Sequence, residues 1–232
     1  MINKIIFLLS FILVSKTCYS KTCNEYNNQK AWIWPLSHKR IQSSSLSELF
    51  LLQLRFQKKT LFFEKLGPAP HKIENKKMTI VMRLQSLPLV EDLIKNYLIL
   101  KKDWNQRGTE VTGLQLDFDS PTGQLDTYAD YLLKLKSKLA SEEKLSITGL
   151  PDWINQSSSF QTKLLQSDIV IYFQMYQGNV PALKTNEYLD FLNKYKLKYA
   201  VGFLPDQNIN ETRINVLNTT KNFEGILCFY RN

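Results

Sequence analysis

Residues 112–123 read TGLQLDFDSPTG, and the alternation inside this run decides the fold. Leu114, Leu116 and Phe118 fall on one face of an extended segment and Gln115, Asp117 and Asp119 on the other, because successive strand side chains point to opposite sides. Segments with helical period lie on both sides of it. A strand between helices belongs to a parallel sheet covered on both faces, where strands are apolar almost throughout. The polar face therefore needs an enclosed, partly wet destination.

Eight strand-like segments can be read along the chain: 31–34, 49–57, 78–84, 111–119, 144–150, 168–176, 198–204 and 224–230. Helical spacing recurs between them. Leu89, Leu93, Tyr97, Leu100 and Trp104 mark a helix over 87–106, and Tyr128, Leu132, Leu135 and Leu139 one over 126–139. Shorter helices are expected over 160–166, 186–195 and 210–221, the last entered through Asn210 as a cap. Alternating strands and helices give the α/β class, and eight strands give a small TIM-type (β/α)8 barrel rather than an open sheet. Residues 58–77 read as a loop and the sequence runs two residues past the eighth strand, so helices 2 and 8 are expected to be short or missing.

Residues 1–20 are read as a signal peptide: Lys4, an apolar run from Ile5 to Val14, and smallish residues before a cleavage site near Ser20. Residues 21–232 then form a single barrel domain, exported to the periplasm or secreted, and acylation of Cys18 or Cys23 is the weaker alternative. The run is too short to span a bilayer, so no integral span is expected after cleavage. The whole chain carries 30 Lys and Arg against 21 Asp and Glu, a balance of +9. Removal of Lys4 and Lys16 with the leader brings this to +7 (9 − 2). Lysines are scattered over solvated helix faces without basic runs or interleaved aromatics, so no nucleic-acid partner is expected. His38 and His71 are the only histidines, which argues against a zinc site, a metal-dependent deacetylase and a Ser-His-Asp hydrolase. No metal or cofactor is expected, and the expected state is a monomer.

In a barrel, inward residues near the carboxyl ends of the strands meet at the mouth. Gln115, Asp117 and Asp119 would climb toward that mouth about 6.5–7 Å apart. Carboxylates so placed raise one another's pKa, and glycoside cleavage needs a carboxylic acid that keeps its proton. The structural alternative is an internal salt bridge or a turn into the next helix. Gln115 lies deeper and reads as a core amide. Arg83 ends an otherwise apolar strand; it either contacts a sugar hydroxyl or carboxylate or holds Asp117 ionised through a paired hydrogen bond, and the two readings predict different pKa values for the aspartate. Gln174 and Tyr176 share a face of the sixth strand and would hold a sugar. Trp34 and Trp153, after the first and fifth strands, are candidate stacking planes, the alternative being core packing. Strands one and eight become neighbours on closure, so Cys23 and Cys228 are expected to form a disulfide.

The run Gly113-Leu-Gln115-Leu-Asp117-Phe-Asp119 is similar to the strand-four signature of chitinase-like family 18 glycoside hydrolases, Gly-x-Asp-x-Asp-x-Glu. That resemblance implies Asp119 as the proton donor and Asp117 as the helper that orients the substrate's N-acetyl group. Gln115 stands where the first Asp would be, and Asp119 is one methylene shorter than Glu. A closer resemblance is to bacterial domain-of-unknown-function family 3142. It is carried by Trp32-Ile-Trp34, Val81-Met-Arg83-Leu, Trp104-Asn-Gln-Arg-Gly108, Leu125-Asp-Thr-Tyr128, Leu145 through Trp153, Phe173-Gln174-Met-Tyr176, Phe203-Leu-Pro205 and Gly225 through Phe229. Tyr176 occupies a position where that family is expected to have His. The resemblance implies a glycoside-hydrolase-like barrel, and the expected partner is a polysaccharide or glycoconjugate, either cleaved or bound on a degenerate barrel without catalysis.

Overall fold

Short apolar and aromatic runs form eight strands in chain order: β1 (Lys30–Ile33), β2 (Glu48–Phe56), β3 (Lys77–Leu84), β4 (Glu110–Asp117), β5 (Lys144–Gly149), β6 (Val170–Gln174), β7 (Tyr199–Phe203) and β8 (Phe223–Tyr230). Each pairs in parallel with its neighbours, and β1 pairs with both β2 and β8, so the ring closes as the alternation in β4 requires. This computed structural model describes residues 20–26, 30–34, 46–155 and 158–230. Residues 1–19 of the expected leader over 1–20, and His38, lie outside the described residues.

Helices cover the ring where the sequence has a 3.6-residue period. α1 (Val90–Gln106) buries Val90, Leu93, Tyr97, Leu100 and Trp104, and α2 (Leu125–Lys138) buries Leu125, Tyr128, Ala129, Leu132 and Leu135. α1 begins later than its apolar pattern because Leu89 has an extended conformation, φ −59° and ψ 136°, just after Pro88. α3 (Ser158–Leu164), α4 (Thr185–Leu192) and α5 (Glu211–Asn218) are short. The Asn210 side chain caps α5 by accepting from the Arg213 N–H at 3.2 Å.

Two apolar layers follow from the strand alternation. Leu114 and Leu116 point outward to the helices, in the same layer as Tyr97, Trp104 and Leu132. Trp32, Phe50, Leu52, Val81, Tyr172 and Phe229 fill the inside, with the Phe50 and Tyr172 rings 4.9 Å apart. A Cβ on Gly202 would sit 2.5 Å from the Trp32 ring, so this inner layer depends on a glycine in β7. Burying each such ring contributes on the order of 2 kcal/mol.

Two connections differ from expectation. The segment after β2, read as loop, folds back as a hairpin whose strand Phe63–Lys65 pairs antiparallel with the end of β2 and packs Phe63 on Phe56 at 4.9 Å. A three-residue strand leaves too short an alternation to be read. The sixth strand stops at Gln174 rather than Tyr176; Tyr176–Gln177 then pairs with Val180–Pro181 around Gly178 at φ +59°.

The N-terminal arm is fastened twice. Ser20–Thr22 pairs antiparallel with Asn208–Asn210, and Cys23 is disulfide-bonded to Cys228 of β8, as expected from barrel closure. Ser20, assigned to the leader by the cleavage reading, makes the first backbone pair of this arm. The bridge spans a sequence separation of 205. Replacing both cysteines by serine is predicted to lower unfolding free energy by about 4 kcal/mol, measured by urea denaturation.

Candidate functional site at the barrel mouth

The inward residues of β3 to β6 converge near their carboxyl ends because parallel register sets like faces side by side. Arg83 of β3 is the register partner of Asp117 on β4, and Gln115 that of Ser146 on β5. Arg83, Gln115 and Asp117 line a cavity of about 430 Å³ together with Trp34, Asp119, Thr148, Gln174, Tyr176, the Gln177-Gly178 turn and Phe229. Gln115 sits at its floor, fully buried, accepting from the Trp32 indole N–H and donating to Ser146 Oγ at 3.2 Å. It is the satisfied core amide that the sequence suggested.

Asp117 is buried above it. Its Oδ1 accepts from the Thr148 hydroxyl at 3.0 Å, Gln174 hydrogen-bonds it as well, and its Oδ2 lies 3.9 Å from Arg83 Nη1. Asp119, two residues past the end of β4, is half-exposed at the opening, and its Oδ2 lies 3.9 Å from Arg83 Nη2. One guanidinium thus faces two carboxylates. Burial pushes the Asp117 carboxyl above its ordinary value of 3.8 and the Asp119 charge adds to this, against the opposing pull of Arg83 and the hydrogen bonds from Thr148 and Gln174. Arg83 thus favours the charged form of Asp117, and burial outweighs it. The guanidinium also lies over the Trp34 ring, 5.1 Å from its centroid.

Tyr176 lies flat against Phe229, with centroids 4.9 Å apart and 10° between planes. Its buried hydroxyl has no hydrogen-bond partner among the described residues, and burial pushes its pKa well above the ordinary 10. A buried O–H without a partner costs free energy unless a ligand supplies an acceptor.

Trp153 is not at the mouth. The short 3₁₀ turn Pro151–Asn155 aims it between Tyr128 and Phe160, where it is buried and donates to Ser120 O at 3.2 Å. It offers no stacking plane and instead braces the turn that carries Asp119. Asp206 accepts from Asn24 in the arm, and His71 packs on Trp104. Thr148 was missed, although Lys144, Ser146 and Thr148 alternate polar with apolar along β5 and carried the signal. Phe229 and the Gln177-Gly178 turn had none, because nothing local to them marks the mouth. Among the described residues no three His, Cys, Asp or Glu side chains group as metal ligands would.

The closed ring of eight parallel strands with helices between them is the (β/α)8 barrel that the sequence implied. Residues 76–203 match the family Domain of unknown function (DUF3142), more than half of the chain, and the protein belongs to that family. None of the curated proteins is similar enough in sequence to match. Among solved structures, the barrel is similar to the spore cortex-lytic enzyme SleL of Bacillus cereus, with TM-score 0.53, 12% identity, and coverage of 82% of this chain and 56% of that one. The chain thus spans little more than half of that enzyme's length. It is also similar to xylanase and α-amylase inhibitor proteins: XAIP-I in complex with trehalose has TM-score 0.56 and 11% identity, and XAIP-II of Scadoxus multiflorus has 0.55 and 14%, each with 86% of this chain and 91% of that one covered.

Two variants test the physical account of the site. Tyr176→Phe removes an unpartnered hydroxyl, so unfolding free energy is expected to be unchanged or up to about 1 kcal/mol higher, whereas a structural hydrogen bond would show as a loss of that size. For Asp117, the folded pKa exceeds the unfolded one. The folded state therefore holds the proton over the window above 3.8, and the contribution of Asp117 to stability falls as pH rises through it. Urea denaturation of Asp117→Asn is expected to show stability rising relative to wild type between pH 4 and neutrality.

Proposed function

We propose that the mouth pocket binds a carbohydrate chain of a polysaccharide or glycoconjugate and cleaves a glycosidic bond by acid catalysis without a metal. The observation that carries this is the pairing of a desolvated carboxyl with a buried, unpartnered tyrosine hydroxyl in one open cavity. Asp119 stands at the opening, where a leaving-group oxygen is within reach, and takes the role of proton donor. Asp117, deeper and inclined to keep its proton, orients either the substrate's N-acetyl group or the attacking water. Gln174 and Tyr176 supply hydrogen bonds to sugar hydroxyls, Trp34 with Arg83 forms a flat wall against which a pyranose ring packs, and Gln115 fixes the floor.

A second reading, binding without turnover, is favoured by Arg83, which lies 3.9 Å from both carboxylates and supports their charge. XAIP-I, of similar fold, was crystallised with trehalose and is described as an inhibitor protein. The disulfide and the expected leader support export of the protein, with residues 21–232 read as one domain and a monomer as the expected state. No described helix is long and apolar enough to cross a membrane.

Calorimetry and a reducing-sugar assay on the same glycan fragments separate the two readings. Asp119→Asn is expected to lower turnover by roughly a hundredfold or more while heat of binding persists. Undiminished turnover in that variant removes Asp119 from the donor role, and binding heat without any new reducing ends in the wild type supports the second reading.

A further inference from the structure

The cavity at the mouth has an unequal charge balance. Among the described residues that line it, the charged ones are Arg83, Asp117 and Asp119, one cation against two anions. Arg83 lies 3.9 Å from each carboxylate, beyond hydrogen-bond reach of either, so a single guanidinium serves two acids loosely. The remaining polar groups of the lining are neutral amides and hydroxyls. Opposite them stands an aromatic wall, with Trp34 edge-on to Phe229 at 5.7 Å and Tyr176 flat against Phe229.

The chain as a whole carries +9, so the acidic surplus is a property of this cavity and not of composition. Outside the lining, exposed Asp152 and Asp206 stand against exposed Lys58, Lys59 and Lys65, and Lys184 pairs with Glu187. Rim charges of both signs in water screen one another, whereas charges inside the cavity are screened much less. Tyr176, only 8% exposed, borders the same cavity with a hydroxyl that has no partner among the described residues, a second unmet demand beside the acids.

Resting on the carbohydrate reading above, we propose that the sugar unit this cavity selects is a hexosamine with a free amino group, its ammonium seated against Asp117 and Asp119 on the side away from Arg83. The ring then packs on the wall of Trp34 and Phe229. A primary ammonium is compact and carries three donors with a full charge, so it can serve both carboxylates where a hydroxyl brings no charge. Its arrival evens the balance. Burial makes the charge on Asp117 costly, and a second cation at short range offsets that cost as no sugar hydroxyl can. An N-acetylated unit leaves the surplus in place, and a uronate, sulfate or phosphate group adds a third anion. A free amine also leaves Asp117 no N-acetyl group to orient, so of its two proposed roles the positioning of water remains.

Calorimetry with tetrasaccharides of glucosamine, N-acetylglucosamine, glucose and galacturonate tests this at about pH 6, below the range in which such amines lose their proton. The glucosamine tetramer is expected to bind the wild type about tenfold or more tightly than the glucose tetramer. In Asp119→Asn, with circular dichroism unchanged, affinity for the glucosamine tetramer is expected to fall about tenfold while that for the glucose tetramer stays within about threefold. Equal or tighter binding of the N-acetylglucosamine, glucose or galacturonate tetramer overturns the amine assignment and leaves the carbohydrate reading standing. An undiminished preference in Asp119→Asn overturns the proposed seat of the ammonium. Spermidine binding as tightly as the glucosamine tetramer assigns the site to amines at large and overturns the proposal as well. If none of the tetramers binds, the carbohydrate reading itself fails and this inference falls with it.

Discussion

Closure of the ring leaves the inward-facing side chains of β4 only the barrel axis to occupy. Leu114 and Leu116 pack under helices, so Gln115 and Asp117 must point the other way, into a space already filled by Trp32, Phe50, Val81 and Tyr172. Gln115 meets this demand by exchanging hydrogen bonds with Trp32 and Ser146. Asp117 meets it only in part. It receives a hydroxyl, an amide and a distant guanidinium, and burial still dominates its titration. The disulfide and the arm ladder act on the same constraint, because β8, held by Cys228, is the strand that closes the ring on β1.

Which effect wins at Asp117 follows from distances and exposure. An ion pair gains strength when short, dry and bidentate. Arg83 satisfies none of these conditions: it stands 3.9 Å from each carboxylate, divides itself between two of them, and is partly solvated while its flat face rests on Trp34. A guanidinium so placed tempers the cost of a buried carboxylate without removing it. The Tyr176 hydroxyl, beside the same cavity, has no partner among the described residues. Two groups whose hydrogen-bonding or charge demands the protein does not meet thus border one open cavity, which is the condition under which a polar ligand gains most from entering.

The periodic parts of this structure were legible in the sequence, and the parts set by single turns were not. Alternation alone placed Gln115 and Asp117 inside, and spacing of three and four placed Tyr97 and Trp104 under α1. The disulfide followed from the adjacency of first and last strands. Trp153 escaped because strand position fixes where a residue starts and not how a five-residue 3₁₀ turn redirects it. Residues 57–65 escaped because a hairpin with a three-residue strand has no period to read, and its tip places Leu61 where chain chemistry argues for Gly or Asn. At the site itself, residue types gave the candidates, but the balance between burial and Arg83 required coordinates, since a sequence contains neither the 3.9 Å separation nor the depth.

That balance is open to direct observation by titrating the carboxyl carbon of Asp117 by NMR in isotopically labelled protein, assigned through Asp117→Asn. A midpoint above the ordinary 3.8 is the result this account predicts, because desolvation outweighs the pull of Arg83. A midpoint at or below that value contradicts it: Asp117 would then be the settled half of an ion pair, and the mouth would lack the desolvated carboxyl that supports the proposed function.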